Sequence, residues 1–208
     1  MGFLELLLLA VGLSMDAFAV SICKGLAMSR ADAKSMCIVG GWFGGNLFVD
    51  IPNIFRDFDA ERAFNMVKRT QTVSHKHKSN WENYMKYGYF PTDLTEVESV
   101  SSTLESVYDD YAAADMAKRM GKTEDAEYFN KRADFYKNLF DKETQFMRPR
   151  NSNGTWKTPF NPSEVAHAES KGGDYTEGNA WQYTWHVQHD VPGLIALFGG
   201  EKPFLNKL

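Results

Sequence analysis

The chain of 208 residues is short of cysteine and of positive charge. It has two cysteines, and 23 basic against 27 acidic residues leave a formal net charge of −4. Cys23 and Cys37 both lie near the N-terminus, so they say little about the redox compartment. Lys and Arg are scattered along the chain, and the sequence therefore lacks the basic patch that nucleic-acid binding requires. No nucleic-acid partner is expected.

Strand-like alternation, short-period repeats and low-complexity tracts are also missing at any useful length. Apolar residues instead recur with helical spacing over residues 102–120 and 124–140, which predicts two helices joined by GKT into an antiparallel pair. Ser102 with Glu105 three residues later matches a capping box and predicts where the first helix begins. The predicted apolar face of that helix consists of Leu104, Tyr108, Ala112, Met116 and Met120. These patterns predict an all-α fold.

A long polar segment, RPRNSNGTWKTPFNPSE, follows the predicted pair at residues 148–164. Its Pro, Asn and Gly content predicts a loop, and loops of that length in compact domains tend to be functional. We predict a third helix from about Glu177, past Trp185, to about Asp190. Pro192 then either interrupts that helix or stands in the first turn of a fourth one.

Long apolar runs are confined to the N-terminal part of the chain. Residues 3–23, FLELLLLAVGLSMDAFAVSIC, are numerous enough to cross a bilayer as a helix, although Glu5 and Asp16 interrupt the run. A secretory signal is the alternative, since AFA at residues 17–19 mimics a cleavage site. The first five residues, however, contain no Lys or Arg. We therefore predict a hydrophobic helix at residues 3–23 that would attach the chain to a membrane.

The same N-terminal stretch, with SMDAFAVS and VGGWFGG, resembles the start of the small manganese efflux pumps of bacterial inner membranes. In that family the acid at Asp16 belongs to the metal pathway, and a carboxylate suits the hard cation Mn²⁺. The sequence after residue 45 supplies no further apolar span and is rich in charge. A working pump is therefore not expected, and Asp16 is a metal residue only if this segment acts as one.

Aromatic residues are abundant, at 14% of the chain. Several of them crowd into its last third, namely Trp156, Tyr175, Trp181, Tyr183 and Trp185. Flat apolar rings beside polar groups suit the faces of sugars, and an aromatic core is the alternative interpretation. Glu177 lies within this aromatic stretch and is either a catalytic carboxylate or the first-turn acid of a helix.

Residues 46–208 resemble the α-mannosidases of glycoside hydrolase family 92. The similarity is strongest in EGNAWQYTW and in HDVPGL behind it. The resemblance implies a partial (α/α)6 toroid of antiparallel helix pairs, preceded here by the hydrophobic helix. It also implies an inverting exo-α-mannosidase that removes α-linked mannose from glycans with Ca²⁺ as cofactor. The implied location is periplasmic or secreted, or membrane-associated if the N-terminal helix is retained.

By the pattern of that family, Glu177 is the general acid that protonates the departing glycosidic oxygen. Asn179 and Gln182 would align the acid or bind sugar or ion, although a helix-to-helix hydrogen bond suits them equally. His186, His189 and Asp190 form only a weak zinc pattern. The residues that the resemblance assigns to substrate binding or to support of the site are Asn179, Trp181, Gln182, Trp185, His189 and Asp190.

An inverting glycosidase also needs a second carboxylate, about 6.5–9.5 Å from the first, to activate water. In the family this base and the segment that helps to hold calcium lie outside the part that the chain matches. We therefore expect few calcium ligands and a catalytically incomplete fragment. The predicted organisation is a membrane-type segment at residues 1–45 followed by a catalytic-domain fragment at 46–208. The alternatives are a membrane-anchored helical module that binds glycans or a partner, and a truncated manganese transporter.

Overall fold

A computed structural model describes residues 59–74 and 80–208 of the chain. These residues lie almost entirely in one compact unit, Phe64–Leu208. The helices are α1 (Ala60–Thr72), α2 (Trp81–Tyr87), α3 (Ser99–Arg119), α4 (Thr123–Ala133), a 3-10 helix (Asp134–Asn138), α5 (Ala180–Tyr183), α6 (Val191–Leu197) and α7 (Glu201–Lys207). Two-residue strands, β1 (Phe140–Asp141) and β2 (Phe146–Met147), pair antiparallel. The all-α prediction is confirmed for this part of the chain.

The predicted N-terminal helix at residues 3–23 and Asp16 lie outside the described residues, as does the predicted segment 1–45. Among the helices of the described ranges, none has the length and apolar character needed to cross a membrane. The partial toroid and the join near residue 45 stay predictions.

Helices α3 and α4 form the predicted antiparallel pair. They are joined at Gly121, whose φ of 71° lies in the left-handed region that favours glycine at a helix end. Asp110 on α3 pairs with Arg132 on α4, and these two residues are equally far from Gly121 along the chain. Ala117 and Phe129 pack together in the same interface.

Helix α3 begins at Ser99 rather than at the predicted Ser102, which lies inside the helix. The capping-box prediction is therefore wrong. The N-cap residue, Glu98, has a left-handed φ of 59° and makes no side-chain cap. The first amides of α3 are instead satisfied by the main-chain oxygen of Asp174, far along the sequence.

The apolar face predicted for α3 is also misplaced, because positions spaced every four residues drift around a helix of 3.6 residues per turn. Tyr108, Ala112 and Met116 are only half-buried. The buried stripe alternates spacings of three and four, and includes Val100, Leu104, Val107, Ala114 and Ala117.

The second predicted helix is shorter than expected, since α4 ends at Ala133 and continues only as the 3-10 helix. The third predicted helix is wrong in extent. It is limited to α5, and poor helix formers such as Thr184, Val187 and Asp190 follow it. The fourth is confirmed as α6, which has Pro192 in its first turn. Between Arg148 and Asn179 there is no helix, so the predicted loop is confirmed.

A buried ion pair holds α3 to α4. The side chains of Arg132 and Asp110 are 1% and 0% exposed, and Oδ2 of Asp110 accepts from Arg132 Nε at 3.0 Å and from the Tyr84 hydroxyl at 3.0 Å. The contact of Arg132 Nη2 with Oδ1, at 2.9 Å, is an ion pair whose angle is not that of a hydrogen bond. The rings of Trp81, Tyr84, Tyr128 and Phe129 surround the guanidinium at 5.1–5.4 Å.

Burial raises the pKa of the Asp110 carboxyl to about 7, and the Arg132 guanidinium acts in the opposite direction. A carboxyl whose pKa is raised in the folded state contributes stability at low pH that is lost as pH rises through the folded value. The Asp110 carboxyl group therefore needs the positive charge of Arg132 most above pH 7, where it is ionised.

Replacing Arg132 by Leu is expected to lower the free energy of unfolding by about 3–5 kcal/mol at pH 8, because it leaves a buried carboxylate without its counter-charge. The loss should be smaller at pH 5, because protonation of Asp110 in the variant then removes the unpaired buried charge. Urea denaturation at the two pH values measures both effects. The control is Arg119→Leu, whose partner Asp115 lies in a solvent-exposed pair, and which should cost no more than about 1 kcal/mol. Equal losses for the two variants would contradict the expectation.

Candidate active site around Glu177

Glu177 lies in a bend two residues before Asn179, the N-cap of α5. The first turn of α5 contains no acidic residue, so the interpretation of Glu177 as a first-turn helix acid is wrong. Its side chain is exposed. Its φ of 47° lies in the left-handed region, which costs a non-glycine residue of order 1–3 kcal/mol and persists only where the surroundings enforce it.

The segment that leads to Glu177 caps α3. The amide of Glu98 donates to the Gly173 oxygen at 2.6 Å, and the amides of Val100 and Ser101 donate to the Asp174 oxygen at 3.0 and 3.2 Å. These bonds satisfy amides at the start of the helix that have no partner within it. The position of Glu177 is therefore fixed relative to the longest helix among the described residues.

The Asp174 carboxylate reinforces this cap. Oδ1 accepts from the Ser99 hydroxyl at 2.6 Å and from the Thr92 hydroxyl at 2.6 Å, and Oδ2 accepts from Lys157 Nζ at 2.5 Å. Asp174 is buried, and both of its oxygens are engaged.

The main chain is held both before and after Glu177. Thr176 N donates to Ser101 Oγ at 2.7 Å, and the Thr176 oxygen accepts from the Tyr183 hydroxyl at 3.1 Å. On the other side, the Gly178 oxygen accepts from Ala166 N at 3.0 Å. The main chain is therefore held at the peptide plane that precedes Glu177 and again at Gly178, which follows it.

Asn179 and Gln182 form a reciprocal capping box at the start of α5. Asn179 Oδ1 accepts from Gln182 N at 3.2 Å, and Gln182 Oε1 accepts from Asn179 N at 3.0 Å. A Cβ atom at Gly178 would lie 2.7 Å from Gln182 Oε1, so glycine at this position leaves room for the box. Both polar side chains have a local role, and their contact with sugar or ion stays a prediction.

The two tryptophans of the motif differ in their surroundings. Trp181 is 40% exposed, with its ring against Phe146 at 4.8 Å and Lys207 Nζ at 4.7 Å from its centroid. Trp185 stacks on Phe198 at 5.6 Å and meets Phe204 edge-on at 5.7 Å. Trp185 therefore fits the aromatic-core interpretation, whereas Trp181 offers ring surface to solvent.

Asp190 joins α6 to the 3-10 helix. Oδ1 accepts from Gly193 N at 2.9 Å and caps α6, and Oδ2 accepts from the Tyr136 hydroxyl at 2.7 Å. Burial acts to raise the pKa of Asp190, but these hydrogen bonds outweigh it and hold that pKa below its ordinary value. Asp190 therefore stabilises the packing of α6 and the 3-10 helix, C-terminal to the EGNAW motif.

His189 packs between α3 and the 3-10 helix. Its Nε2 lies 3.1 Å from the Ala133 oxygen, and its ring lies 5.5 Å from that of Tyr111 and 5.6 Å from that of Tyr136. Burial lowers the pKa of His189, and burial likewise lowers that of His186. Neutral rings at these positions suit packing among tyrosines.

A metal site is not apparent in residues 59–74 and 80–208, where no three His, Cys, Asp or Glu side chains are grouped so as to hold an ion. The zinc alternative at His186, His189 and Asp190 therefore lacks a ligand set there. The same residues offer no carboxylate cluster of the kind that Ca²⁺ prefers.

Comparison with known families identifies the chain. Residues 21–208 match the sequence profile of the glycosyl hydrolase family 92 catalytic domain. The chain belongs to glycosyl hydrolase family 92. The match begins earlier than residue 46, where the resemblance in the sequence begins.

Solved members of family 92 share the fold. A family 92 α-mannosidase from Bacteroides thetaiotaomicron, in complex with mannoimidazole, is 43% identical with a TM-score of 0.66, over 72% of this chain and 20% of its own. An inverting family 92 mannosidase from the same species is 29% identical with a TM-score of 0.69, over 86% and 23%. An uncharacterised secreted glycosidase from Arthroderma benhamiae is 27% identical over 91% of this chain and 27% of its length. The chain thus spans about a quarter of the length of these relatives.

A short part of the chain is similar to another family. A putative manganese efflux pump from Desulfitobacterium hafniense is 64% identical over 45 residues, which is 22% of this chain and 24% of the pump. This similarity confirms the resemblance to the pumps over a short segment.

Ser101, Asp174 and Tyr183 hold the backbone at Glu177, yet the sequence patterns do not assign them this role. The serine-rich start of α3 is the one local signal, and it suggests a capping box within the helix. Their contacts with the Glu177 segment span up to 75 positions of sequence, and such contacts have no periodic signature.

Replacing Asn179 by Ala is expected to lower the free energy of unfolding by about 1 kcal/mol, because α5 loses its N-cap acceptor. Asn179→Ser keeps a hydroxyl acceptor at this position and should stay close to the original stability. Thermal or urea denaturation of the three chains measures the difference. If the Ser variant is as unstable as the Ala variant, the cap is not what Asn179 contributes.

Proposed function

We propose that this chain supplies the acid side of an α-mannosidase active site of the inverting, exo-acting type. Glu177 protonates the departing glycosidic oxygen of an α-linked mannose in a glycan. The observation that carries the proposal is an exposed carboxyl group on a strained backbone, held from both sides, within the EGNAW motif of the family. Strain of this kind is concentrated at functional sites.

The surroundings of Glu177 suit this role. Trp181, four residues along the chain, offers exposed ring surface on which a sugar face can pack. Protonation of the leaving oxygen assists cleavage because the transition state resembles an oxocarbenium ion. Asn179, Gln182, Trp185, His189 and Asp190 are proposed to shape and support this surface.

The base that activates water is proposed to come from residues other than Asp174 and Asp190. Both oxygens of Asp174 accept hydrogen bonds from side chains, and both oxygens of Asp190 accept them from Tyr136 and Gly193. A carboxylate occupied in this way is poorly suited to take a proton from water.

Calcium dependence is part of the proposal, with the ion held by residues outside the described ranges. No step assigned to Glu177 passes through the ion. The similarity to a secreted glycosidase supports a periplasmic or secreted location. Membrane association would follow if the predicted helix at residues 3–23 is retained.

Binding of mannoimidazole to the purified full chain tests the proposal. This compound has the shape of mannose and a basic ring nitrogen to which a correctly placed acid can donate. Isothermal titration should detect binding, and Glu177→Gln should weaken it about tenfold, which is about 1.4 kcal/mol. The glucose-configured imidazole is the control for sugar specificity and should bind more weakly. Equal binding by both chains, or no binding by either, would contradict the assignment.

Hydrolysis of α-linked mannobiose by the full chain with calcium is expected to equal that of Glu177→Gln. Inverting hydrolysis needs a base as well as an acid, and the two nearby candidates, Asp174 and Asp190, are engaged elsewhere. Release of mannose measured over hours tests this expectation. Turnover that depends on Glu177 would show instead that a carboxylate of this chain, or of an associated copy, acts as the base.

A further inference from the structure

We propose that Ser101 and Tyr183 are positioning residues that hold Glu177 in its left-handed backbone conformation and thereby aim its carboxyl group. This inference rests on the proposed role of Glu177 as the acid. Neither residue is assigned to contact the sugar.

Two hydrogen bonds, one with Ser101 and one with Tyr183, hold the main chain of Thr176, and we name them the Thr176 clamp. Thr176 N donates to Ser101 Oγ at 2.7 Å, and the Tyr183 hydroxyl donates to the Thr176 oxygen at 3.1 Å. Ser101 is fully buried, so water does not compete for its oxygen. Both polar groups of the Thr176 main chain are therefore held.

The clamp restricts rotation about the N–Cα bond of Glu177, which sets the direction of its side chain. The Thr176 oxygen belongs to the peptide plane that precedes Glu177. The φ angle of Glu177 is the rotation about its N–Cα bond relative to that plane. One residue further on, the Gly178 oxygen accepts from Ala166 N, so the main chain is also held just after Glu177. With the preceding plane held and the chain held again at Gly178, φ of Glu177 is kept in the left-handed region. Without the clamp, a non-glycine residue relaxes towards negative φ, which turns its side chain elsewhere.

Both partners of the clamp stand on helices. Ser101 is in the first turn of α3, where its own amide donates to Asp174, and Tyr183 is the last residue of α5. Groups on helices are held more precisely than groups on loops. The clamp thus ties Glu177, which lies in a bend, to two helices and restricts its backbone.

Removing one hydroxyl at a time from the full chain tests the clamp, with Ser101→Ala and Tyr183→Phe. The control is Tyr175→Phe, whose buried hydroxyl donates to the Met147 oxygen at 2.7 Å and not to Thr176. The three-bond HN–Hα coupling and the Cα shift of Glu177, measured by NMR, report its φ. Both should move away from left-handed values in the two clamp variants and stay unchanged in the control. Unchanged values in both clamp variants would overturn the proposal.

A double-mutant comparison tests whether the clamp acts through the acid. Tyr183→Phe should weaken mannoimidazole binding about tenfold in the original chain and cause no further loss in the Glu177→Gln background. An equal loss in both backgrounds would overturn the positioning role, because it would mean that Tyr183 affects the ligand independently of Glu177. If Glu177→Gln alone binds like the original chain, the proposed function fails, and the NMR couplings still decide the clamp.

Discussion

The main-chain oxygen of Asp174 is the acceptor on which the arrangement of the site depends. It takes the amides of Val100 and Ser101 at the start of α3, a helix whose own N-cap residue provides no side-chain acceptor. The segment that leads to Glu177 is therefore joined to the start of the longest described helix. Because Glu177 follows three residues later, the same bonds that satisfy a helix terminus also position Glu177. Both carboxylate oxygens of Asp174 are engaged in holding this junction, whereas Glu177 is exposed.

Helical periodicity was sufficient to predict the α3–α4 pair, in which Ala117 and Phe129 are buried in one cluster, although the predicted face of α3 was misplaced. Periodicity fails to predict helix ends that are set by contacts with residues distant in the sequence. The start of α3 is set by Asp174, which no nearby pattern encodes. Helix α5 is short because the chain turns after Tyr183. In the sequence, neither a capping residue nor the amphipathic spacing marks this end.

For the site, the EGNAW motif identifies Glu177 as a candidate but does not reveal how it is held. The same motif suggests sugar contacts for Asn179 and Gln182, whereas their side chains close a capping box around Gly178. Polar residues before a short helix suit either role chemically. Only their geometry shows the local bonds, because sequence spacing does not state which acceptor an amide group reaches.

The bonds of Asp174 to Thr92 and Ser99 join residues 82 and 75 positions apart. Loops of that length close slowly compared with a helical hairpin, whose contacts are local. The α3–α4 pair is therefore expected to form early in folding, and the strained conformation of Glu177 only at the end. The proposed acid, Glu177, would then reach its working geometry only after the helices of the chain have formed.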